Sequence, residues 1–237
     1  MQPDNDPAYR FGPDLYCGWR ESGLGDITEA LEDRLLFNLI GNVEGQRVLE
    51  VGCGEGHFAI GLAQRGALVT GSDPSADMIE SAHTTVNASE SHFDLVRSSG
   101  ERLPFAAASF DIVVAKTVLC FVGDAQDMIS EMARVLRPNG RFVIGELHKW
   151  SSWAAQRRIR AWLGSPLWRR GRFRTATELK QLARNAGLEV ETVRGAIYYP
   201  RLTTAARLLA PYDAWLGRHT LFGAAFIALS ARKHEIA

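Results

Sequence analysis

Arg47-Val-Leu-Glu-Val-Gly-Cys-Gly-Glu-Gly56 decides the fold. Its first five residues have the pattern of a short buried strand, which then breaks into three glycines spaced two apart. Phe58 to Arg65 follows as a helix. A strand, a glycine turn and a helix in direct succession open a βαβ unit. In a doubly wound fold this turn sits at the carboxyl end of the central strand, where the strand order reverses and a crevice opens for ligands. Glycines there permit a tight turn and let a ligand approach the main chain with no Cβ in the way.

Working outward, Ala67-Leu-Val-Thr-Gly71 reads as a second strand and Ala76 to Val86 as a second helix. Phe110-Asp-Ile-Val-Val-Ala115 is a strand, Ala125 to Leu136 a helix and Arg141-Phe-Val-Ile-Gly-Glu146 a strand. Upstream, Leu24 to Ile40 carries apolar residues at 27, 31, 35, 36, 39 and 40, a helical stripe that Asp26 or Thr28 could cap. Thr177 to Ala186, ended by Gly187, reads as a helix, Leu188 to Val193 as a strand, and Phe222 to Ala231 as a final strand. This alternation predicts an α/β fold with a mostly parallel sheet. We divide the single domain into an N-terminal arm and helix (1–44), a core (45–148), a basic Trp-rich insert (149–175) and the C-terminal part of the sheet (176–237).

Seventeen residues after Gly56 stands Asp73, in Thr70-Gly-Ser-Asp-Pro74 at the end of the second strand. An acid there can accept hydrogen bonds from both hydroxyls of a ribose. The dinucleotide fingerprint Gly-x-Gly-x-x-Gly is not met, because His57 stands at its third glycine. That argues against an NAD-dependent oxidoreductase.

The chain resembles the class I S-adenosylmethionine-dependent methyltransferases, of the methyltransferase type 11 or UbiE-like family. The likeness rests on Val48-Leu-Glu-Val-Gly-Cys-Gly-Glu-Gly56, Gly71-Ser-Asp-Pro-Ser-Ala-Asp-Met78, Glu101-Arg-Leu-Pro-Phe105, Ser109-Phe-Asp111 and Arg134-Val-Leu-Arg-Pro-Asn-Gly-Arg141, in the family's order over about residues 45–146. It implies a Rossmann-like, doubly wound seven-stranded sheet with its last strand antiparallel and helices on both faces. It implies S-adenosylmethionine as cofactor and methyl transfer as activity. By position, Gly52, Gly54 and Gly56 would face the methionine part, Glu50 would orient that loop, Asp73 would hold the ribose and Met78 would pack on the adenine. Where the family often has an Asp for the adenine amino group, this chain has Ser99, so Ser99, Gly100 or Glu101 would supply that contact. Lys116 would lie near the methionine carboxylate.

Methyl transfer needs alignment and water exclusion more than a catalytic motif. If a base is used, His148 in Glu146-Leu-His-Lys149 is the candidate, while Glu146 is read as bonding backbone amides at the strand end. Tyr9, Tyr16, Tyr198 and Tyr199 are acceptor-pocket candidates for which ordinary packing is the favoured reading, and Trp19 could close over the cofactor. Ala115-Lys-Thr-Val-Leu119 stands where methyltransferases of exocyclic base amines carry Asp/Asn-Pro-Pro-Tyr, so a flipped base has no carbonyl clamp. The scattered histidines show no metal spacing. A non-catalytic S-adenosylmethionine-binding protein is the second reading.

The 237 residues are 46% apolar and 23% charged, as in an ordinary globular protein. Cys17, Cys53 and Cys120 form neither a disulfide framework nor a zinc motif. Leu221 to Ala231, the longest nearly apolar run, is too short to span a bilayer. The start Met1-Gln-Pro-Asp-Asn-Asp6 lacks a signal pattern, and a cytoplasmic location is the expectation. Net charge is zero, yet residues 1–148 carry −11 and residues 149–237 carry +11. Lys149 to Arg174 holds eight basic residues, no acidic one and four of the six tryptophans. Ser152 to Leu163 within it could be a helix with Ala155, Ile159, Trp162 and Leu163 on one side and Gln156, Arg157 and Arg160 on another. Three roles compete for this insert: a lid over a small, apolar or lipid-like acceptor, a segment resting on an anionic membrane, and, least favoured, contact with nucleic acid. Oligomeric state is not legible.

Overall fold

In the computed structural model the described residues are 18–89, 91–165, 168–169 and 171–234. Tyr9, Tyr16, Cys17 and Arg170 lie outside them. Seven strands form one sheet in the order β3-β2-β1-β4-β5-β7-β6. They are β1 (Arg47–Val51), β2 (Leu68–Asp73), β3 (Asp94–Arg97), β4 (Phe110–Lys116), β5 (Leu136–Leu147), β6 (Leu188–Ala196) and β7 (Phe226–Lys233). β7 runs antiparallel to both its neighbours, and the other pairs are parallel. The expected doubly wound seven-stranded sheet is present. The chain leaves β1 for β2 and β3 on one side and returns to β4 on the other, so the switch point lies between β1 and β4.

The helices are α1 (Gly23–Ile40), α2 (His57–Ala63), α3 (Ala76–Ala88), α4 (Ala125–Val135), α5 (Ser152–Trp162), α6 (Ala176–Asn185) and α7 (Thr203–His219). Two cores flank the sheet. Leu49, Val51, Val113 and Ala115 point to one side, against Met128, Ile129 and Met132 of α4 and Leu179 of α6. Val48, Ile112 and Val114 point to the other, against Leu35, Leu36 and Leu39 of α1 and Phe58 and Leu62 of α2. Side chains alternate along a strand, so Glu50 and Lys116 share the α1 side with Val48 and Val114.

Several local expectations are corrected. Ser22, not Asp26 or Thr28, caps α1, its hydroxyl accepting the Gly25 amide at 3.0 Å. β3 has only four residues, half-buried or exposed, and so carried no apolar signal. α7 contains Pro211 and Gly217, which read as loop. Gly217 is there because the helix backbone packs on the Gly195 carbonyl of β6, where a Cβ would collide. The final strand begins at Phe226 rather than Phe222, after a turn through Gly223. α5 buries Trp153, Ala154 and Arg157, while the apolar side read from the sequence, with Ile159 and Trp162, is exposed. Trp153 decides that choice: it is almost fully buried, and its indole NH donates to the Tyr199 carbonyl at 2.7 Å.

Candidate functional site

A cavity of about 720 Å³ opens at the carboxyl ends of β1, β2, β4 and β5. Gly52 and Gly54 line its floor, and both have left-handed backbones, with φ of 74° and 52°. A Cβ on Gly52 would collide with the Val118 methyls, whereas a Cβ on Gly54 would enter open space. The amides of Gly52 and Cys53 are held by the Ser72 carbonyl at 2.7 and 2.9 Å, which ties the loop to β2. Thr117, just past β4, also lines the cavity with φ of 57°, an uncommon backbone for a β-branched residue.

Asp73 ends β2 at the cavity wall. One carboxylate oxygen accepts the Gly54 amide at 3.0 Å and the other the Ser75 amide at 2.9 Å. Each oxygen keeps a further lone pair. Burial raises the Asp73 pKa, and these two amides oppose the rise. Met78 lines the same wall.

Beside the glycine loop lies an acidic cluster. Glu50 is 2% exposed, and one of its carboxyl oxygens is buried with no partner. Burial pushes its pKa up to about 8 against the opposing pull of Lys116, with Asp33 and Asp73 adding to the rise. Glu32 of α1 is raised to about 7, again chiefly by burial. Lys116 bridges the cluster, 2.6 Å from Asp33 and 3.8 Å from Glu32. Arg20 pairs with Glu29 at 3.0 Å and Glu55 at 3.5 Å. His57 lies 3.8 Å from Glu55, but burial and then Arg20 push its pKa down to about 4, so it is neutral at pH 7.

A further part of the lining is basic and aromatic, with Arg157, Arg160, Trp168 and Arg201. Arg157 is 8% exposed, and its Nε and Nη1 make no hydrogen bond. Its guanidinium lies over Trp168 at 4.8 Å and Trp153 at 5.5 Å, and Arg201 sits 5.1 Å over the same Trp153. Among the described residues no carboxylate pairs with Arg157. Each aromatic contact returns roughly 0.5–2 kcal/mol, against several kcal/mol for desolvating a cation. The deficit appears as a pKa lowered to about 10 by burial, then by repulsion from Arg201.

Of the residues expected at the site, the structure brings Glu50, Gly52, Gly54, Asp73, Met78 and Lys116 together on this cavity. Gly56 caps α2 one turn back, its φ of 81° completing the loop. Ser99, Gly100 and Glu101 do not line it. The Ser99 hydroxyl donates to Glu101 at 2.8 Å, and Glu101 accepts the Asp124 amide at 3.1 Å. That turn adjoins the wall through the Ser98 amide, which donates to the Asp73 carbonyl at 3.1 Å. His148 does not line the cavity either. It is 5% exposed, its Nδ1 lies 3.0 Å from the Ala224 carbonyl, and burial lowers its pKa. It holds β5 to the turn before β7 and is not placed to take a proton from an acceptor. Glu146 accepts the Val118 and Leu119 amides at 2.9 and 2.6 Å, as read from its strand-end position. Tyr199 bonds Thr28, a lining residue, and Tyr198 donates to the Thr220 carbonyl, and neither tyrosine lines the cavity itself. Trp19 does line it. Sequence reasoning missed Glu29, Glu32, Asp33 and Arg201. Only Glu32 left a signal, as a charge on the buried stripe of α1.

Residues 49–144 match the methyltransferase domain family. An uncharacterized protein of Mycobacterium tuberculosis is 33% identical over 222 residues, covering 93% of this chain and 72% of that one. The chain belongs to the class I S-adenosylmethionine-dependent methyltransferases. A ubiquinone biosynthesis O-methyltransferase of Rhizobium leguminosarum is 31% identical over 163 residues, 67% of this chain and 65% of that enzyme. The fold is shared with a SAM-dependent methyltransferase of Thermotoga maritima, with a TM-score of 0.72, 21% identity and coverage of 95% and 97%. S-adenosylmethionine is this methyltransferase's cofactor, and the residues present fit it. Open space stands over Gly54, Asp73 keeps two lone pairs toward the cavity, and the unpartnered Glu50 oxygen suits a cationic ligand. Among the described residues no cluster of His, Cys, Asp and Glu could hold a metal ion, and no helix is long and apolar enough to cross a membrane.

Proposed function

We propose that this methyltransferase moves a methyl group to a nucleophilic oxygen, nitrogen or carbon of a small acceptor held against the basic aromatic wall. The observation that carries the reading is one cavity with an acidic wall at the glycine loop and a cationic wall at α5. Asp73 would hold the ribose hydroxyls, and Gly52, Gly54 and Glu50 the methionine end. Lys116, already shared with Asp33, would face the methionine carboxylate. Met78 would pack on the adenine, with the Ser99–Glu101 turn at its edge. When bound, the cofactor supplies a methyl carbon made electrophilic by its sulfonium.

The chain's own residues then align and exclude. Trp19, Phe121 and Trp168 line the space where the acceptor enters and limit water. Displacement at the methyl carbon would need the acceptor atom held in line with the sulfur, and these lining side chains would fix that approach. An acceptor that carries a proton releases it to solvent. No described side chain on the wall is assigned as base, since His148 points elsewhere and His57 is a weak one.

A thermal-shift titration with S-adenosylmethionine, S-adenosylhomocysteine and NAD tests the reading. A ligand at 100 times its Kd stabilises by roughly 2.7 kcal/mol, a rise of roughly 5–10 °C for a domain of this size. Both sulfur compounds should shift the midpoint and NAD should not. A shift with NAD alone would overturn the assignment. Binding without methylation of any acceptor would favour the non-catalytic reading.

A surface role for the insert rests on a separate observation. Trp150, Ile159, Trp162 and Leu163 are exposed beside Arg158 and Arg160. Co-sedimentation with anionic vesicles should fall for Trp162→Ser. Equal sedimentation with neutral vesicles, or none at all, removes this role.

A further inference from the structure

We propose that Arg157 anchors a carboxylate of the acceptor, so that the substrate is an organic acid with an apolar or aromatic body. This rests on the transfer reading above and names its substrate class.

Arg157 enters the cavity from α5 with Nε and Nη1 buried and unbonded. A guanidinium is always charged, and a buried one is ordinarily paired. Here three rings lie around it, Trp168 at 4.8 Å, Trp153 at 5.5 Å and Phe173 at 6.0 Å, and among the described residues no carboxylate comes within ion-pair distance. Rings stack on the guanidinium face and leave its edge donors unsatisfied. Trp168 and Phe173 also stack on each other, with ring centres 6.0 Å apart. These aromatic planes hold the guanidinium in a fixed orientation, as an anion receptor requires.

The charges around the site favour an anion at this end. Arg160 and Arg201 line the same wall, and Arg201 lies over the other tryptophan contact, Trp19, at 5.3 Å. Glu32 is the acid felt by Arg157, but it lies within 3.8 Å of Lys116 and beyond ion-pair distance of Arg157. An anion entering here therefore meets three guanidinium groups. A guanidinium offers a carboxylate two donors on one edge, Nε with Nη2 or Nη1 with Nη2. Among the described residues none accepts a hydrogen bond from Nε or Nη1, so one donor of either edge is free for the two coplanar oxygens of a carboxylate. A carboxylate paired in that plane stays coplanar with the guanidinium, whereas a tetrahedral phosphate would project out of it. The other lining residues near this end, Phe121, Val122 and Leu147, offer apolar surface for the body of the acid.

The test measures equilibrium binding of benzoate, indole-3-acetate, the amides of both, and phenyl phosphate to protein saturated with S-adenosylhomocysteine. A charge-assisted pair lost from a buried site costs a factor of ten or more. The acids should bind at least tenfold more tightly than their amides, and more tightly than phenyl phosphate. Arg157→Met should erase the preference for the acids, and Arg157→Lys should restore part of it. Arg157→Met should also have an unchanged or higher thermal midpoint, because it removes an unpaired buried charge. A lower midpoint would show that the cation is already compensated within the fold. Equal binding of acid and amide, acid binding unaffected in Arg157→Met, tighter binding of phenyl phosphate, or no acid binding at millimolar concentration would each overturn the proposal. If S-adenosylhomocysteine itself fails to bind, the methyltransferase reading fails instead, and the two failures are distinct.

Discussion

Glu50→Gln should stabilise the free protein, and by an amount that depends on pH. The Glu50 carboxyl is 2% exposed and has one buried oxygen without a partner. Burial raises its pKa from 4.5 to about 8, overriding Lys116. The sign follows from proton counts. Between these two values the unfolded chain has lost the proton and the folded chain still holds it, so stability falls as pH rises. Below pH 4.5 both states hold the proton and the group contributes no difference. Above pH 8 the folded protein carries a buried charge and the loss is complete. At 1.36 kcal/mol per pH unit, the full loss is on the order of 5 kcal/mol, about 4 of it reached at pH 8. Glutamine has the shape of the protonated acid and does not titrate. The two proteins should therefore differ little near pH 5 and by roughly 8–16 °C in midpoint near pH 8.

The assay is thermal unfolding of both proteins from pH 5 to pH 8, with and without saturating S-adenosylmethionine. Glu32 and Glu146, each raised to about 7, titrate in both proteins and cancel in the difference. With the cation bound, an ionised Glu50 gains a partner, so the cofactor should stabilise the wild type far more than the variant at pH 8. A midpoint difference that is the same at pH 5 and pH 8, or a variant that binds the cofactor as tightly as the wild type, would refute the reasoning.

Asp73→Ala should weaken cofactor affinity by roughly a hundredfold, the worth of two charge-assisted hydrogen bonds, measured by calorimetry; unchanged affinity would remove the ribose role. Gly52→Ala and Gly54→Ala should part company. The first drives a Cβ into Val118 and should lower the midpoint sharply, whereas the second costs only its positive φ, about 1–2 kcal/mol, and should lose cofactor binding because its Cβ enters the cavity. Glu146→Ala strands the Val118 and Leu119 amides and should cost roughly 2–6 kcal/mol in urea unfolding. His148→Ala should lower the midpoint while leaving the Kd for S-adenosylhomocysteine unchanged, since the ring bonds only the Ala224 carbonyl.

The cofactor half of the site was legible because its residues are fixed by backbone geometry close in sequence. A strand must end before Gly52 can turn, and β2 must run parallel beside β1 before Asp73 can meet the Gly54 amide. These constraints leave a spacing. The expectation at His148 failed for a related reason: strand position places the backbone but not the ring, and the ring follows the carbonyl of Ala224, 76 residues away. β3 and α7 were missed because one is too short and half-exposed for an apolar pattern and the other contains Pro211. For α5 the apolar period groups Ile159 and Trp162 on one side without saying whether that side packs. The structure buries Trp153 instead, because only there does an indole NH find a buried carbonyl.

The charge imbalance between the two halves of the chain has a structural counterpart across one cavity. The acidic first half supplies Glu29, Glu32, Asp33, Glu50, Glu55 and Asp73 to one wall, and the basic second half supplies Arg157, Arg160 and Arg201 to the other. Arg20 pairs with Glu29 and Glu55, and Lys116 with Asp33 and Glu32, but each set keeps an unpartnered buried group. Glu50 leaves an oxygen unpaired and Arg157 leaves two nitrogens unpaired. Arg157 therefore carries an uncompensated buried charge, and Glu50 gains one as it ionises near pH 8, which lowers the stability of the free protein. A sulfonium cofactor against the acids and an anionic acceptor against the arginines would relieve both deficits at once, with the two ligands' opposite charges facing each other. On that account each ligand should bind more tightly in the presence of the other, and by the same factor. The effect should be larger with S-adenosylmethionine than with S-adenosylhomocysteine, because only the first carries the sulfonium charge. Calorimetric titration of benzoate into the two complexes measures the difference, and equal affinities in both would show that the two walls act independently.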